Sequence, residues 1–466
     1  MPETEFSAFA AVVLGMALLL VLALPRRYVV VPLLLGALLV PTQNVLVVAG
    51  FHFMPIRLLG LAGCARWLVS RPQGDKSRLA GGWNGIDRAL LGWGIAAAAA
   101  ISLQWMNMQA LYNQIGVLTA TFGIYFALRQ LIRDDEDIAR VIRVLAAVAV
   151  INVVSMISEQ LTLHNLFGAI MGGVDASPLI REGRIRAQGA FQHAILAGVF
   201  GATLVPLCCW LWKSGRSRPL AVLGVLTGTG MTLMSSSSTP VMALGGSIIA
   251  LFFWPLRKSM RLLRWGLSAT LITLHLVMKV PVWFLIARID VVGGSASWDR
   301  ANLIDTCVKH FWDWWLVGTH NTGNWGWSMW DLSNQFVSVA ETGGLLALVL
   351  FIAIVSRAFG ALGMARKVAG TRGEEWRIWF LGAALFAHIL AYFGVSYFDQ
   401  TQVVWFVLLA IIAATTGALV QSDDQAETLA EAPTVVGTWG QSEKTLQASL
   451  QVAIPGRWSA KKSGTE

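Results

Sequence analysis

Residues 297–334 read SWDRANLIDTCVKHFWDWWLVGTHNTGNWGWSMWDLSN and form most of the longest polar interval between the apolar runs of this chain. The interval extends from about Asp290 to Asn334 and holds seven tryptophans beside arginine, histidine and aspartate side chains. A loop longer than about 15 residues is usually functional or disordered, and a high tryptophan content argues against disorder. We therefore expect this Trp-rich loop to be ordered and to work on a water-accessible substrate.

Apolar runs dominate the rest of the chain. Hydrophobic residues make up 56% of the 466 residues and charged residues only 13%, which excludes an ordinary soluble protein and indicates a polytopic membrane protein. We predict an all-α fold with 11 to 14 transmembrane helices and one large outer loop, over a membrane domain of residues 1–420. The polar segment 421–466 is predicted to be a disordered tail. The predicted spans lie near residues 6–24, 28–50, 54–69, 89–104, 110–131, 142–160, 190–211, 219–236, 239–256, 265–287, 333–356, 378–395 and 402–419.

The distribution of Lys and Arg predicts the orientation. When the loops are alternated inwards from the C-terminal tail, one side collects 27 of the 35 Lys and Arg residues. Basic residues mark cytoplasmic loops, so this side and the C-terminus are predicted to be cytoplasmic. The loops 161–189 and 289–332 then face outward, into the periplasm of a bacterial inner membrane. The net charge of +9 consequently requires no nucleic-acid partner.

Two groups of arginines lie on the predicted outer side. Arg181, Arg184 and Arg186 lie within REGRIRAQGAFQH, and Arg288 and Arg300 flank the start of the Trp-rich loop. The guanidinium fork suits phosphate oxygens and is costly to hold near hydrocarbon without a partner. These arginines could bind a lipid phosphate or diphosphate. The alternatives are anchoring of the first group to lipid headgroups and a solvated salt bridge between Arg300 and Asp299.

Candidate acid–base groups are few. Glu341 lies about eight residues into the span that follows the Trp-rich loop, and a carboxylate at that depth indicates either function or a buried partner for an arginine. His320 and His310 are alternatives because histidine titrates near neutral pH. The indole faces of Trp325 and Trp327 could hold a sugar ring, although tryptophan also concentrates at membrane interfaces.

The sequence contains no metal or cofactor motif. Its four cysteines show no CxxC or Cys/His spacing, and no P-loop, DxD-like pair or Ser-His-Asp set occurs on the predicted outer side. We therefore expect neither a metal nor a cofactor. An external reaction would then use a preactivated substrate, for which a lipid-diphosphate-linked sugar is the obvious chemistry.

Taken in order, these segments resemble the O-antigen ligase and polymerase superfamily of bacterial envelope glycosyltransferases over about residues 180–357. An arginine leads into a Gly-aromatic-His segment in RAQGAFQHAILAG from Arg186, and the Ser-rich turn SSSSTP follows at Ser235–Pro240. Arg300 then precedes the stretch LVGTHNTGNWGW in the large outer loop. The last segment is DLSNQFVSVAETGGL, in which Asn334 and Glu341 match the family pattern approximately.

The chain departs from the family pattern at two places. Ser333 stands where the ligases of the family have a histidine immediately before the asparagine. Thr239 and Pro240 stand where an arginine often follows the Ser-rich turn. The missing histidine argues against a usual lipopolysaccharide ligase and leaves the general base open, and a polymerase or a divergent exopolysaccharide enzyme fits better.

The resemblance implies a GT-C-like, metal-independent transferase that polymerises undecaprenyl-diphosphate-linked glycan at the periplasmic face. The partners it implies are membrane lipids and a chain-length regulator and flippase of a polysaccharide pathway. A ligase-type transferase to another acceptor, a non-enzymatic lipid or glycan transporter, and an inactive scaffold remain alternatives. The catalytic residues it implies are Glu341 and His320, and the substrate-binding residues are Arg184, Arg186, Arg300, Trp325, Trp327 and Asn334.

Overall fold

The computed structural model describes residues 4–5, 7–48, 51–69, 78–288, 296–327 and 329–431. Helices make up most of these residues, as the sequence predicts. They are α1 (Ala8–Ala23), α2 (Arg26–Leu39), α3 (Pro55–Val69), α4 (Gly85–Trp105), α5 (Met108–Leu131), α6 (Asp135–Thr162), α7 (Leu166–Met171), α8 (Ala194–Ser214), α9 (Arg218–Met234), α10 (Ser238–Phe252), α11 (Met260–Val277), α12 (Ala296–Lys309), α13 (Phe311–Trp314), α14 (Gln335–Val368), α15 (Arg372–Tyr392) and α16 (Asp399–Glu431).

Five short strands accompany the helices and were not predicted. β1 (Thr4–Glu5), β2 (Asn44–Val48) and β3 (Phe51–Phe53) form one sheet, and β4 (Leu179–Arg181) pairs with β5 (Arg184–Arg186) in an antiparallel hairpin. The turn of this hairpin has positive φ at Glu182 (53°) and Gly183 (72°). Two consecutive left-handed residues match the twist of the flanking strands. The fold is therefore mainly, but not entirely, helical.

Six helices among the described residues are long and apolar enough to cross a membrane. A seventh span results if α10 is joined to the following helical segment Trp254–Val277 across a bend of 79°. The count is lower than the 11 to 14 spans predicted, in part because α1, α2, α3, α9 and α10 contain only 14 to 17 residues, whereas a straight span needs about 20. The six are Gly85–Trp105, Met108–Leu131, Asp135–Thr162, Ala194–Ser214, Gln335–Val368 and Asp399–Gly417.

Close helix crossings depend on glycine pairs. A Cβ on Gly201 of α8 would lie 2.4 Å from the carbonyl oxygen of Gly228 in α9. A Cβ on Gly123 of α5 would lie 2.1 Å from the carbonyl oxygen of Gly60 in α3. Small residues let membrane helices approach backbone to backbone. The most enclosed span is α8, which packs against α6, α9, α10 and α15.

One end of the bundle carries a network of ion pairs. Arg129 binds Asp87 at 2.9 Å with both side chains fully buried, and Arg26 binds Asp137 at 2.9 Å. Further pairs join Arg143 and Arg216 to Glu136, and Arg377 to Asp135. These residues lie in, or within three residues of, the loops predicted to be on the basic, cytoplasmic side. We call this the charged end.

The loops predicted to face outward meet at the other end. The Gln160 side chain donates to the backbone oxygens of Ile185 and Met234 at 3.0 and 3.1 Å. The Gln400 side chain donates to the backbone oxygen of Ala190 at 2.8 Å. The grouping of the loops into two sides therefore agrees with these contacts. That the charged end faces the cytoplasm stays a prediction from the Lys and Arg count.

The last described helix runs beyond the predicted boundary of the membrane domain. α16 ends at Glu431, so it continues into the segment that was predicted to be a disordered tail from residue 421. Residues 432–466 of that predicted tail lie outside the described residues.

Candidate functional site

Three arginines share one face of the β4–β5 hairpin, which we call the arginine hairpin. Arg181 pairs directly with Arg184, and Leu179 pairs with Arg186. Directly paired residues point to the same face of a sheet, as do residues two apart in one strand, so Arg181, Arg184 and Arg186 lie on one side. Like charges directly opposite each other are destabilising. An anion that contacts several of these guanidinium groups would reduce their mutual repulsion, so the face suits such a ligand.

Arg186 is the most enclosed of the three. Arg181 and Arg184 are exposed, whereas Arg186 is partly buried. Burial, and next the charge of Arg181, lower the pKa of Arg186. Its buried Nε has no hydrogen-bond acceptor among the described residues. An oxygen-rich anionic ligand would supply that acceptor.

The Ser-rich turn supports this hairpin directly. The backbone oxygen of Ile185 accepts from the Ser236 hydroxyl at 2.9 Å, in addition to its bond from Gln160. The backbone N–H of Ala187 donates to the backbone oxygen of Met234 at 3.2 Å. Two segments that the sequence analysis grouped as motifs, 49 residues apart, are thus in contact.

A buried carboxylate fixes the backbone that follows the arginine hairpin. Glu159 of α6 accepts from the backbone N–H groups of Gln188 and Gly189 at 2.9 and 2.8 Å. Asn152, two turns earlier, accepts from the backbone N–H of Ala190 at 2.9 Å. The sequence analysis did not select Glu159. A carboxylate within an apolar span is rare, and this was the signal that could have identified it.

His193 lies where the two outer loops approach each other. It precedes the first residue of α8, and its ring lies 5.7 Å from that of Phe398. Burial, and next the charge of Arg186, lower the pKa of His193, while Asp331 and Asp175 act in the opposite direction. Charges from the arginine hairpin (Arg186) and from the end of the Trp-rich loop (Asp331) therefore both act on His193.

Helix α14 is broken at Gly344, directly after Glu341–Gly343. Gly344 has φ 69° and ψ −172°, a backbone conformation that is essentially restricted to glycine. The break frees backbone groups, and the Trp-rich loop satisfies them. Thr319 N–H donates to the Glu341 oxygen at 2.8 Å, and Leu345 N–H donates to the Trp315 oxygen at 2.9 Å.

A glutamine from a neighbouring helix completes this junction. The side chain of Gln104, near the end of α4, donates to the backbone oxygens of Val317 and Thr342 at 2.5 and 3.0 Å. One amide group therefore joins the loop to the broken helix. Gly318 permits the close approach, because a Cβ there would lie 2.0 Å from the Glu341 oxygen. Sequence reasoning did not select Gln104, whose polar side chain at a helix end carried no distinctive signal.

The carboxylate of Glu341 makes no hydrogen bond or ion pair with any of the described residues, although it is half-buried. The charge of Glu341 acts on Cys307 of α12. Burial is the larger cause and this charge the smaller one, and together they raise the pKa of the Cys307 thiol to about 12. The alternative that Glu341 is a buried ion-pair partner for an arginine finds no support among the described residues. The group is available to a ligand.

Arg300 lies on the face of α12 that packs against α14. Arg300, Leu303 and Cys307 are spaced at i, i+3 and i+7, so they share one helix face. Leu303 and Cys307 belong to a small hydrophobic core with Val337 and Ala340 of α14. The Arg300 side chain is itself buried, with 7% of its surface exposed. It therefore lies on the side of α12 that faces the first turns of α14.

Asn334 caps α14 and lies two helical turns before Glu341. Its Oδ1 accepts from the backbone N–H groups of Phe336 and Val337, which is the usual role of an N-cap asparagine. Its Nδ2 is buried and has no acceptor among the described residues. Seven residues of helix place Asn334 and Glu341 on one face, about 10 Å apart along the axis.

The two tryptophans predicted to hold sugar differ in exposure. Trp325 is 7% exposed, donates to Asp313 at 3.1 Å and stacks on His310 at 5.3 Å, so its faces are occupied by the protein. Trp327 is 94% exposed and offers an open face. His320 is exposed and packs against Trp105 at 5.1 Å, one residue from the loop–helix bond at Thr319.

A scan against protein-family models finds no match for this chain, and a search of curated proteins finds no significant match. The resemblance to envelope glycosyltransferases therefore rests on the motifs alone.

Among the described residues, no three His, Cys, Asp or Glu side chains are grouped so that they could hold a metal ion. The chemistry of the site follows from its arginines, from Glu341 and from the buried Nδ2 of Asn334, which has no acceptor among the described residues.

Proposed function

We propose that this protein is a membrane glycosyltransferase that polymerises lipid-linked oligosaccharide units at the end opposite the charged end. The observation that supports this most is the combination of three arginines on one hairpin face with a half-buried, unpaired carboxylate at a helix break. The arginines match the diphosphate of an undecaprenyl-linked glycan in charge and geometry. The carboxylate matches the base that an acceptor hydroxyl requires.

In the proposed reaction, a hydroxyl of the acceptor sugar attacks the anomeric carbon of the donor glycan. The new glycosidic C–O bond forms as the bond between that carbon and the diphosphate oxygen breaks, with inversion at carbon. The hydroxyl proton passes to Glu341, for which His320 is the alternative. The lipid diphosphate leaves with its electron pair, and its growing negative charge is offset by Arg186 and Arg300, with Arg184 assisting.

Fixed guanidinium charges supply the electrostatic stabilisation that a metal ion supplies in other transferases, so the proposed reaction needs no metal. The backbone around Arg186 is held by Glu159, and that around Glu341 by Thr319 and Gln104. Prepositioned charges cost little reorganisation during the reaction. The exposed face of Trp327 would hold a sugar ring of the donor or acceptor.

Two other functions use the same residues. A ligase-type transferase would pass the glycan to a different acceptor, and the sequence departure at Ser333 argues against it. A transporter of lipid or glycan is favoured by the break in α14, because discontinuous helices commonly form transport sites. A transporter would move the substrate without releasing free lipid diphosphate, which separates it from both transferases.

The arginine roles can be tested in cells that make the native polysaccharide. Arg186→Ala and Arg300→Ala should each abolish long-chain product while protein levels stay normal. The matched control is Arg264→Ala, which removes an exposed arginine from α11 and should leave the chain-length distribution unchanged. Near-wild-type chain synthesis by both site variants would refute these roles.

A further inference from the structure

The turn that joins α15 to α16, residues 393–398, contacts both parts of the candidate site, and we call it the α15–α16 turn. On one side, the ring of Phe398 lies edge-on against the ring of His193 at 5.7 Å. The bond from the Gln400 side chain to the Ala190 oxygen lies directly after the turn. The segment that follows the arginine hairpin is therefore held against the end of this turn.

A second connection on this side passes through Thr42. The Thr42 hydroxyl accepts from the Gln192 side chain at 3.0 Å and bonds to the carboxylate of Asp399, the first residue of α16. Thr42 is fully buried, so both bonds are protected from water. Separate contacts at Ala190 and Gln192 thus attach the same segment to the start of α16.

The other side of the turn holds the first residues of α14. The backbone N–H of Tyr397 donates to the side-chain oxygen of Gln335, which begins α14. The ring of Phe336 packs against that of Phe393 at 5.3 Å. Gln335 and Glu341 lie on the same side of the break in α14, about 9 Å apart along the helix axis. A displacement of Gln335 is therefore passed on to Glu341.

Two further bonds fix the turn itself. The Tyr397 hydroxyl and Nδ1 of His388 in α15 lie 2.8 Å apart, and both residues are buried. The Gly394 oxygen accepts from the hydroxyl of Thr239 at 3.4 Å. A Cβ on Gly394 would lie 2.2 Å from that hydroxyl oxygen, so the contact requires glycine. The turn is thus attached to α10 and α15 as well as to the two parts of the site.

We propose that Tyr397 and Gln335 are positioning residues that set the distance between the arginine hairpin and Glu341. The proposal rests on the proposed glycosyltransferase function, in which the arginines hold the donor diphosphate and Glu341 acts on the acceptor hydroxyl. These groups come from separate parts of the fold, whereas reacting atoms must approach to about 3–3.5 Å. A misplacement of about 1 Å can lower a rate about 100-fold.

The purified full-length protein carrying Gln335→Leu lacks the acceptor for the Tyr397 N–H. We expect a kcat at least about tenfold lower. The KM for the lipid-linked donor and the affinity for pyrophosphate should stay unchanged, because Glu159 and Gln160 still hold the backbone around Arg186. Gln335→Glu retains an acceptor oxygen and should recover most of the lost kcat. Tyr397→Phe removes only the bond to His388 and should act in the same direction, more weakly.

A distance measurement tests the positioning role independently of activity. Spin labels are placed on Ile180→Cys, an exposed site in the arginine hairpin (53%), and on Ser338→Cys, a half-buried site before the break in α14. The partly buried Cys64 and Cys209 are replaced by alanine. Pulsed electron paramagnetic resonance should show a narrow distance distribution with native Gln335 and a shifted or broader one with Gln335→Leu.

The matched control is Trp379→Phe, which removes one hydrogen bond elsewhere on α15, from the indole to the Ala250 oxygen at 2.9 Å. It should change neither kcat nor the distance distribution, and thermal unfolding verifies that each variant is folded. An unchanged distance distribution in folded Gln335→Leu, or an equal fall of kcat in Trp379→Phe, would overturn the proposal. If the wild type releases no lipid diphosphate, the proposed function fails, and the distance distributions alone then decide the positioning role.

Discussion

The backbone N–H of Thr319 donates to the backbone oxygen of Glu341 at 2.8 Å, so the Trp-rich loop is bonded to α14 at the residue that carries the unpaired carboxylate. The break at Gly344 frees this oxygen from its helical partner. A backbone group freed at membrane depth must find another partner. The position of the loop and the position of the carboxylate are therefore linked.

Gln104 is predicted to hold the loop against the broken helix. Gln104→Glu replaces a donor that contacts two backbone oxygens with an acceptor that repels them. We expect a loss of about 1–3 kcal/mol of stability and a lower turnover, with Gln104→Leu less severe. Thermal unfolding and glycan synthesis by the purified variants measure both effects. Equal stability of wild type and Gln104→Glu would contradict this account of the junction.

Gly344 is predicted to tolerate no side chain. Its φ of 69° with extended ψ costs a non-glycine residue about 1–3 kcal/mol, and a Cβ would lie 2.6 Å from the Leu316 oxygen. Gly344→Ala should therefore lower the unfolding temperature.

Gly360→Ala is the matched control for this substitution. Gly360 lies in the regular part of the same helix, and a Cβ there meets nothing within 4 Å. Alanine should be neutral or stabilise by up to about 1 kcal/mol. If both substitutions have the same effect on unfolding, the break does not require glycine.

His193 is predicted to make anion binding depend on pH. Its pKa lies below the usual 6.5 because of burial and of Arg186, so the imidazole is neutral at pH 7. A diphosphate bound beside Arg186 favours the protonated ring and raises this pKa, so binding takes up a proton. Affinity for pyrophosphate should then increase as the pH falls toward the lowered pKa of the free imidazole.

Calorimetric titrations with pyrophosphate at pH 7.5 and pH 5.5 measure this effect. Pyrophosphate itself gains protons in this range, so the informative quantity is the difference between wild type and His193→Gln. The variant should show the smaller increase in affinity at low pH. Identical pH profiles would separate His193 from the anion site.

The buried pair of Arg129 and Asp87 is predicted to stabilise the charged end. Asp87 also accepts from the Tyr125 hydroxyl at 2.6 Å, and both partners of the pair are fully buried. Arg129→Met leaves a buried carboxylate without its cation and should cost about 3–5 kcal/mol. Arg143→Met removes a more exposed pair and should cost at most about 1 kcal/mol. Chemical denaturation of the two variants in detergent compares them.

The sequence predicts the helical class and the grouping of loops because apolar runs and the Lys and Arg bias act along the chain. The predicted number of spans exceeds the six or seven candidate spans among the described residues, because hydropathy does not reveal where a helix ends. α2, for instance, ends at Leu39 and the chain continues into β2, although the apolar run extends to about residue 50.

The sequence predicts only part of the candidate site, because it does not reveal how the Trp-rich loop folds or where α14 breaks. Arg186 and Glu341 stood out because charged groups beside apolar spans are costly, whereas Asn334 was selected only through the resemblance to the glycosyltransferase superfamily. The sequence cannot distinguish Trp325 from Trp327, which differ in burial because the loop folds on its own small core. Nor does the segment ETGG reveal which glycine adopts the left-handed backbone that breaks α14.

Reconstitution in liposomes with a lipid-diphosphate-linked oligosaccharide tests the central claim most directly. Free lipid diphosphate and glycan size are measured together, for wild type, Glu341→Gln and the control Arg264→Ala. The account predicts release of lipid diphosphate with a ladder of longer glycans for wild type and control, and loss of both for Glu341→Gln. Absence of release by wild type with its native substrate would contradict the proposed transferase and favour a transporter.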